Sequence, residues 1–482
     1  MLIILFMVVM SVYGYIALPE DFEILWLDTT GIRGSEWYKN PKTAQPSWTK
    51  YLGMKAAPTN IYEDLRPTQE GIVIKLTDFY VLLPELKTTN LLGSARPPIG
   101  YYQVYEVRYD LEHPVSPQDI LVEFSPRATK NETILVYVKV FAFLIRPDNV
   151  TLKILEKTTN TQSRLIEKID CWSYVNEYIS FFKLNVSAGS LCALNPAFMV
   201  PAKEGSGYEV VTGRYRLKLA LVYLGDPVQI ESLLREGTTG FDVEIRILGT
   251  SYGLLGTDVY GRDLYQGLLY GFHIALLIGL FAATATVILG TLLGLVSGYF
   301  GGVLDEIVQR LADLIGNVPL LPILILLGVA LQTAGYSGYI ILFAIIVFLV
   351  IFGWGGTAIM VRSMTLSIKS ETYIDAARAV GASSFRIITR HILPQVLPYV
   401  VAVLVFSVPS AIIAEAGLSV LGVRHDLPTW GQMLSDALKN RDVAFKAWWW
   451  ILAPGFMLGL FSFAFVALGY AIESIVDPRL RR

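Results

Sequence analysis

Charge is scarce in this sequence: only 17% of its 482 residues are Asp, Glu, Lys or Arg, against about a quarter in a soluble globular domain. The 39 Lys plus Arg nearly cancel the 41 Asp plus Glu and form no basic block, so a phosphate-tracking surface for nucleic acid is not expected. Glycine is never followed by lysine, which removes any phosphate-cradling loop of the Walker type. The four histidines, His113, His273, His391 and His425, lack metal-ligand spacing, and no enzymatic constellation emerges, so neither a metal nor a cofactor is expected on the chain. Cysteine is limited to Cys171 and Cys192. They read equally as one disulfide in an oxidising compartment or as two buried free thiols.

What is abundant is apolar, and it is unevenly spread: 53% of residues are hydrophobic. Long apolar runs near 272–298, 314–334, 338–361, 394–421 and 449–473 suit a hydrocarbon core about 30 Å thick. A further run, Leu2–Leu18, would be about 25 Å long as a helix. No basic segment precedes it and no small-x-small cleavage site follows, so a retained span is favoured over a signal peptide, for six spans in all. Gly279, Gly290, Gly294 and Gly298 recur near one face of the second run, where small residues let helices pack closely. Pro319 and Pro322 kink or break the third, and Trp448, Trp449 and Trp450 suit an interfacial aromatic belt.

Between about Pro19 and Gly249 the period changes to two. In Tyr215–Tyr223 the odd positions are apolar or aromatic while Arg214, Arg216 and Lys218 share the opposite face, the alternation of a half-buried strand. Similar runs occur at 71–76, 101–109, 132–145, 150–155 and 241–248, which predicts an antiparallel, sandwich-like, mainly-β domain. Residues 26–67, rich in Tyr and Pro, carry no assignable pattern. Three Asn-x-Ser/Thr triplets, at Asn131, Asn149 and Asn185, fall in this region alone and fit a glycosylated outer surface. The expected organisation is a first transmembrane helix at 1–18, a β-rich extracytoplasmic domain at 19–250 and a helical membrane core at 251–482.

Orientation follows from the basic residues. Segment 362–391 holds Arg362, Lys369, Arg378, Arg386 and Arg390, and the tail adds Arg479, Arg481 and Arg482, so both read as cytoplasmic. The opposing 422–447 loop offsets its cations with Asp426, Asp436 and Asp442. Six spans then put both termini inside and residues 19–250 outside.

The stretch 371–394 sits between the fourth and fifth spans. It reads as two short helices: an alanine-rich one with Asp375 near its start, a break at Gly381, then Ser383 as N-cap of a second amphipathic helix, with Pro394 opening the next span. A small-faced helix of this kind can enter a groove on a partner while its charges fix register. A surface connector without a partner is the plainer alternative. The order Asp375-Ala376-Ala377, then Gly381, then Ile388 to Arg390-His391-Ile392-Leu393-Pro394 resembles the EAA loop of ABC importer permeases. Asp375 stands where that family usually has Glu.

Two more stretches resemble the second permease of the dipeptide/oligopeptide/nickel importers. They are Leu255-Gly256-Thr257-Asp258-Val259-Tyr260-Gly261-Arg262-Asp263 with Leu269-Tyr270-Gly271, and Glu415–Gly422 with Pro428–Leu434; Asp477-Pro478-Arg479 resembles the family's C-terminus. The resemblance covers roughly 250–482 and implies a type I ABC importer permease fold without its own ATPase site. By resemblance, Asp375, Ala376, Ala377, Gly381, Arg390 and His391 couple to ATPase subunits that carry ATP and Mg. The family implies as partners a second permease, two ATPase domains, a binding protein and the lipid bilayer. It leaves peptide, oligosaccharide or nickel open as cargo. Residues 19–250 depart from the family's short loop, and a membrane-anchored receptor or surface-layer attachment protein remains the rival reading. Glu415, an acid at the end of an apolar run, is a candidate lining residue of the translocation path. Asp258, Arg262 and Asp263 read mainly as local structure at a helix start.

Overall fold

The computed structural model describes residues 2–28, 36–63, 65–73, 100–127, 135–169, 178–179, 196–202, 208–237, 239–425 and 427–476. Cys171, Cys192, Asn131, Asn185 and the 477–482 tail lie outside the described residues. In chain order the elements are α1 (Leu2–Ala17), α2 (Phe22–Leu27), β1 (Asn60–Tyr62), β2 (Gln69–Val73), β3 (Gly100–Leu111), β4 (Asp119–Pro126), β5 (Tyr137–Ile145), β6 (Thr151–Asn160), β7 (Leu165–Lys168), β8 (Met199–Pro201), β9 (Tyr208–Val210), β10 (Gly213–Leu224), α3 (Pro227–Arg235) and β11 (Phe241–Leu248). There follow α4 (Leu264–Phe300), α5 (Gly302–Gly316), α6 (Leu320–Thr333), α7 (Gly338–Lys369), α8 (Thr372–Ala379), α9 (Ser384–Ile387), α10 (Leu393–Val420), α11 (Trp430–Lys439), α12 (Arg441–Ala444) and α13 (Trp448–Val476). Two compact units result: Met1–Thr29 with Asp263–Arg482, and Thr30–Arg262.

The Thr30–Arg262 unit contains two larger antiparallel sheets, ordered β1-β11-β4-β7 and β2-β3-β10-β5-β6, and the two-stranded β8-β9. Alternation decides which side chains meet. Tyr215, Leu217, Leu219, Leu221 and Tyr223 of β10 enter a core shared with Val122 and Phe124 of β4 and Val243, Ile245 and Ile247 of β11. The opposite face of β10 is not purely polar, since Ala220 and Val222 join Tyr102, Val104, Phe141 and Phe143 in a second small apolar cluster. Buried Glu123 on β4 is held by Lys39 at 3.0 Å and by Arg164, whose Nε donates at 2.7 Å.

Part of the unassigned 26–67 stretch is fastened by the Gly-Thr-Asp turn. Thr257 Oγ1 accepts from Ala44 N at 2.9 Å and donates to the Pro41 carbonyl at 2.7 Å, while Asn40 Nδ2 donates to Gly261 O at 3.0 Å. Asp258 Oδ1 accepts from Tyr260 N and Arg262 N, and its Oδ2 accepts from Arg262 Nε at 2.6 Å. Burial pushes the Asp258 carboxyl up from its ordinary range, and the Arg262 charge opposes the shift. Asp263 takes a separate role: it caps α4, accepting from Tyr265 N at 2.9 Å.

In the other unit, four helical stretches are long and apolar enough to cross a membrane: 264–300, 338–369, 384–420 and 448–472. The third apolar run is broken at Pro319, as its prolines suggest, but it begins earlier than position 314. It forms α5 and α6, which pass the same test only together and meet at a 75° bend. Pro319, which cannot donate a backbone hydrogen bond, stands at that bend. The first run is a shorter helix of 16 residues.

The glycine stripe on α4 acts as its spacing suggests. A Cβ on Gly290, Gly294 or Gly298 would lie 2.7, 2.6 or 2.9 Å from the carbonyl oxygens of Trp354, Ala358 and Arg362 on α7, so the two backbones nearly touch. Gly279 instead faces Val408 and Ile412 of α10.

Candidate coupling site

The 371–394 loop is built on an apolar stem. Ile374 of α8, Ile387 of α9 and Ile392 are fully buried and pack with Leu295 and Tyr299 of α4, Val361 of α7 and Val396 of α10. Around that stem the polar and small residues face outward. Asp375, Ala376, Gly381 and Arg390 are exposed, while Ala377 and His391 are half-buried. Two bulky apolar side chains, Val380 at 85% and Phe385 at 77% exposure, project beside them.

Local chemistry sets the loop's shape. Gly381 adopts φ +81°, and Ala382 N donates to Ala377 O at 3.0 Å and Gly381 N to Arg378 O at 2.9 Å, which ends α8 in a left-handed cap. Ser383 Oγ accepts from Arg386 N at 3.4 Å and starts α9. Residues Ile388–Ile392 form a π-helical turn leading into α10, and Gln395 Nε2 donates to the Tyr373 hydroxyl and to His391 O. Arg378 pairs with Asp375 at 3.2 Å, an exposed contact that screening weakens. The cationic ends of Lys369 and Arg378 both stand over the Tyr299 ring, at 5.7 and 5.5 Å.

Glu415 lies elsewhere, at the far end of α10, and it is 3% exposed. Its Oε1 accepts from Ser419 Oγ and Thr429 Oγ1, each at 2.9 Å, and lies 2.9 Å from His425 Nε2. Leu427 N donates to His425 Nδ1, which leaves Nε2 as the protonated nitrogen facing the carboxylate. Nothing local in the sequence marks His425, because its partner is ten positions away across a helix end and a turn at Gly422, φ +104°. The same turn delivers Trp430, whose indole covers Gly271 and donates to Leu268 O at 3.0 Å. Two stretches singled out separately in the sequence thus meet. Asn149, the one described triplet asparagine, sits in a turn at φ +60°.

Several helices long and apolar enough to cross a membrane fit a polytopic membrane protein, and residues 290–482 match the family described as the binding-protein-dependent transport system inner membrane component. The dipeptide transport system permease protein DppC of Bacillus subtilis is 36% identical over 47% of this chain and 69% of its own length. The oligopeptide transport system permease protein OppC of the same organism is 35% identical, over 47% of this chain and 72% of its own. OppC of Haemophilus influenzae is 34% identical over 48% and 71% respectively. The chain belongs to the dipeptide/oligopeptide permease family of ABC importers and is a multi-pass membrane protein.

Proposed function

We propose that this chain is one of two permeases in a peptide importer, and that the 371–394 loop transmits ATPase movement to its helices. One observation carries the reading: the exposed Asp375, Ala376, Val380, Gly381 and Phe385 surround a stem packed on α4, α7 and α10. A displacement of the loop must therefore reach three helices, because packed interiors transmit strain instead of absorbing it. Two ATPase subunits carrying ATP and Mg, a second permease and an extracytoplasmic binding protein complete the assembly.

The six spans are α1, α4, the α5–α6 pair, α7, α10 and α13. Both termini are cytoplasmic, and the β-rich residues 19–250 form an inserted extracytoplasmic domain, the side on which a binding protein arrives. Glu415 serves in this scheme as an anchor for the turn that carries Trp430.

Affinity purification of the tagged chain in mild detergent, with mass spectrometry of what accompanies it, tests the assembly. A second permease and ATPases bearing Walker sequences support it. Recovery of the chain alone or with surface-layer proteins only would favour an attachment protein.

A further inference from the structure

Helix α5 has three faces, and only two suit its surroundings. Val308 and Ala312 are buried, in a cluster with Trp354 and Ala358 of α7. Val303, Ile307, Leu311 and Leu314 form an exposed apolar face. The third face is a polar stripe of Glu306, Arg310, Asp313 and Asn317, all exposed, at spacings of three and four residues that keep them on one side.

Depth makes that stripe informative. Asp305 forms an ion pair with Arg362, which the positive-inside reading places at the cytoplasmic boundary. Asp313 stands two turns farther along α5, about 12 Å into the membrane. Ala312, beside it, packs at the level of Gly355 in the apolar middle of α7. Glu306 and Arg310 are paired at 2.8 Å, and their charges cancel. Among the described residues the Asp313 carboxylate has no ion pair or hydrogen bond; only its backbone carbonyl is engaged, by Asn317 N and by Asn317 Nδ2 at 2.6 Å.

The helix break supplies a second, independent observation. The 75° bend follows one turn later, where Gly316 and Asn317 are both exposed, about 6 Å farther along α5 than Asp313. Interrupted backbone in the hydrocarbon layer persists only where protein or water meets it, and an unpaired carboxylate there obeys the same restriction.

We infer that the stripe Glu306–Arg310–Asp313–Asn317 and the Gly316–Pro319 break line the inner half of the translocation path, and that Asp313 receives a cationic group of the substrate. This rests on the permease reading and on the orientation proposed with it. With Glu306 and Arg310 neutralising each other, Asp313 leaves the stripe net negative, which concentrates ammonium groups such as the free amino end of a peptide.

Cysteine labelling decides the path assignment without knowledge of the substrate. Inside-out vesicles carrying the whole transporter are treated with a membrane-impermeant maleimide, with the unsubstituted chain as background for its native cysteines. Asp313→Cys and Asn317→Cys should label about tenfold faster than Leu311→Cys and Leu314→Cys, because a thiol in lipid does not ionise. Equal, slow labelling at all four positions would place the stripe against the second permease and overturn the inference. The charge role is read from uptake of an alanine dipeptide with a free amino end. Asp313→Asn, nearly isosteric, should lower uptake about tenfold and Asp313→Glu should restore most of it. Undiminished uptake in Asp313→Asn contradicts the charge role. A parent complex that imports no dipeptide overturns the peptide reading and the ammonium assignment together, while the labelling result still stands on its own.

Discussion

A Cβ placed on Gly294 of α4 would lie 2.6 Å from the carbonyl oxygen of Ala358 on α7, and 2.8 Å from the Val361 Cβ. Neither neighbour can yield, since one is helical backbone and the other is fully buried. Gly294→Val should therefore push the two longest helices of the core apart and cost about 1–3 kcal/mol by overpacking. A lowered melting temperature of the detergent-solubilised protein checks this. Gly316→Ala, where nothing lies within 4 Å of the added atom, should leave the melting temperature nearly unchanged.

Gly381 separates conformation from contact. Nothing lies within 4 Å of a Cβ there, yet its φ is +81°. Gly381→Val should cost about 1–2 kcal/mol locally through backbone strain. Uptake should fall while membrane insertion and overall melting stay near the parent's. Gly381→Asn, which tolerates the left-handed region, should retain most activity. Parallel uptake and melting measurements on the two variants distinguish strain from loss of glycine as such.

Removing the Glu415 carboxylate takes the shared acceptor from Ser419, His425 and Thr429 at once, leaving Ser419 Oγ and His425 Nε2 only their 3.3 Å contact with each other. Each buried group left unsatisfied costs about 1–3 kcal/mol. Glu415→Ala should thus be more destabilising than Thr429→Val, which leaves the carboxylate two of its partners. Thermal melts of both variants give the comparison. Proteolysis of the 421–429 turn should accelerate in the first more than in the second.

Acid sensitivity of the β-rich unit should depend on Glu123. Burial alone would push this carboxyl up, but hydrogen bonds and charges from Lys39 and Arg164 outweigh it and hold the group below its ordinary value of 4.5. A carboxyl depressed on folding contributes stability that is present above its unfolded value and is lost as pH falls through its folded one. Stability should therefore decline as pH drops below about 4. Glu123→Gln should flatten that part of the acid limb while lowering stability at pH 7. Denaturant titrations across pH 3–7, with the variant beside the parent, read the difference.

Much of the architecture was written in periodicity. The alternation in Tyr215–Tyr223 became the central strand of its sheet, and 241–248 became β11 with the bounds read from sequence. Strand β4 was not anticipated, because Ile120, Leu121, Val122 and Phe124 are all buried and a run apolar on both faces carries no alternation. Helix α5 escapes for the opposite reason: four acids and bases in fifteen residues interrupt its apolar pattern, so hydropathy marks the third run only from 314 onward. In the coupling loop, Gly381 and Ser383 announced their positions through local chemistry. His425 could not, because its value lies in meeting Glu415 across a turn, which only the folded chain shows.

The most direct measurement is site-specific photocrosslinking from the loop in membranes containing the whole transporter. A photoreactive residue replacing Val380, the most exposed apolar side chain of the loop, should crosslink to an ATPase bearing Walker sequences. One at Leu277, exposed on α4 within the apolar core, should not. ATP-dependent change in the Val380 crosslink would fit a loop that moves with the motor. Crosslinks from Val380 to lipid alone, with the ATPase present in the same membranes, would contradict the coupling assignment.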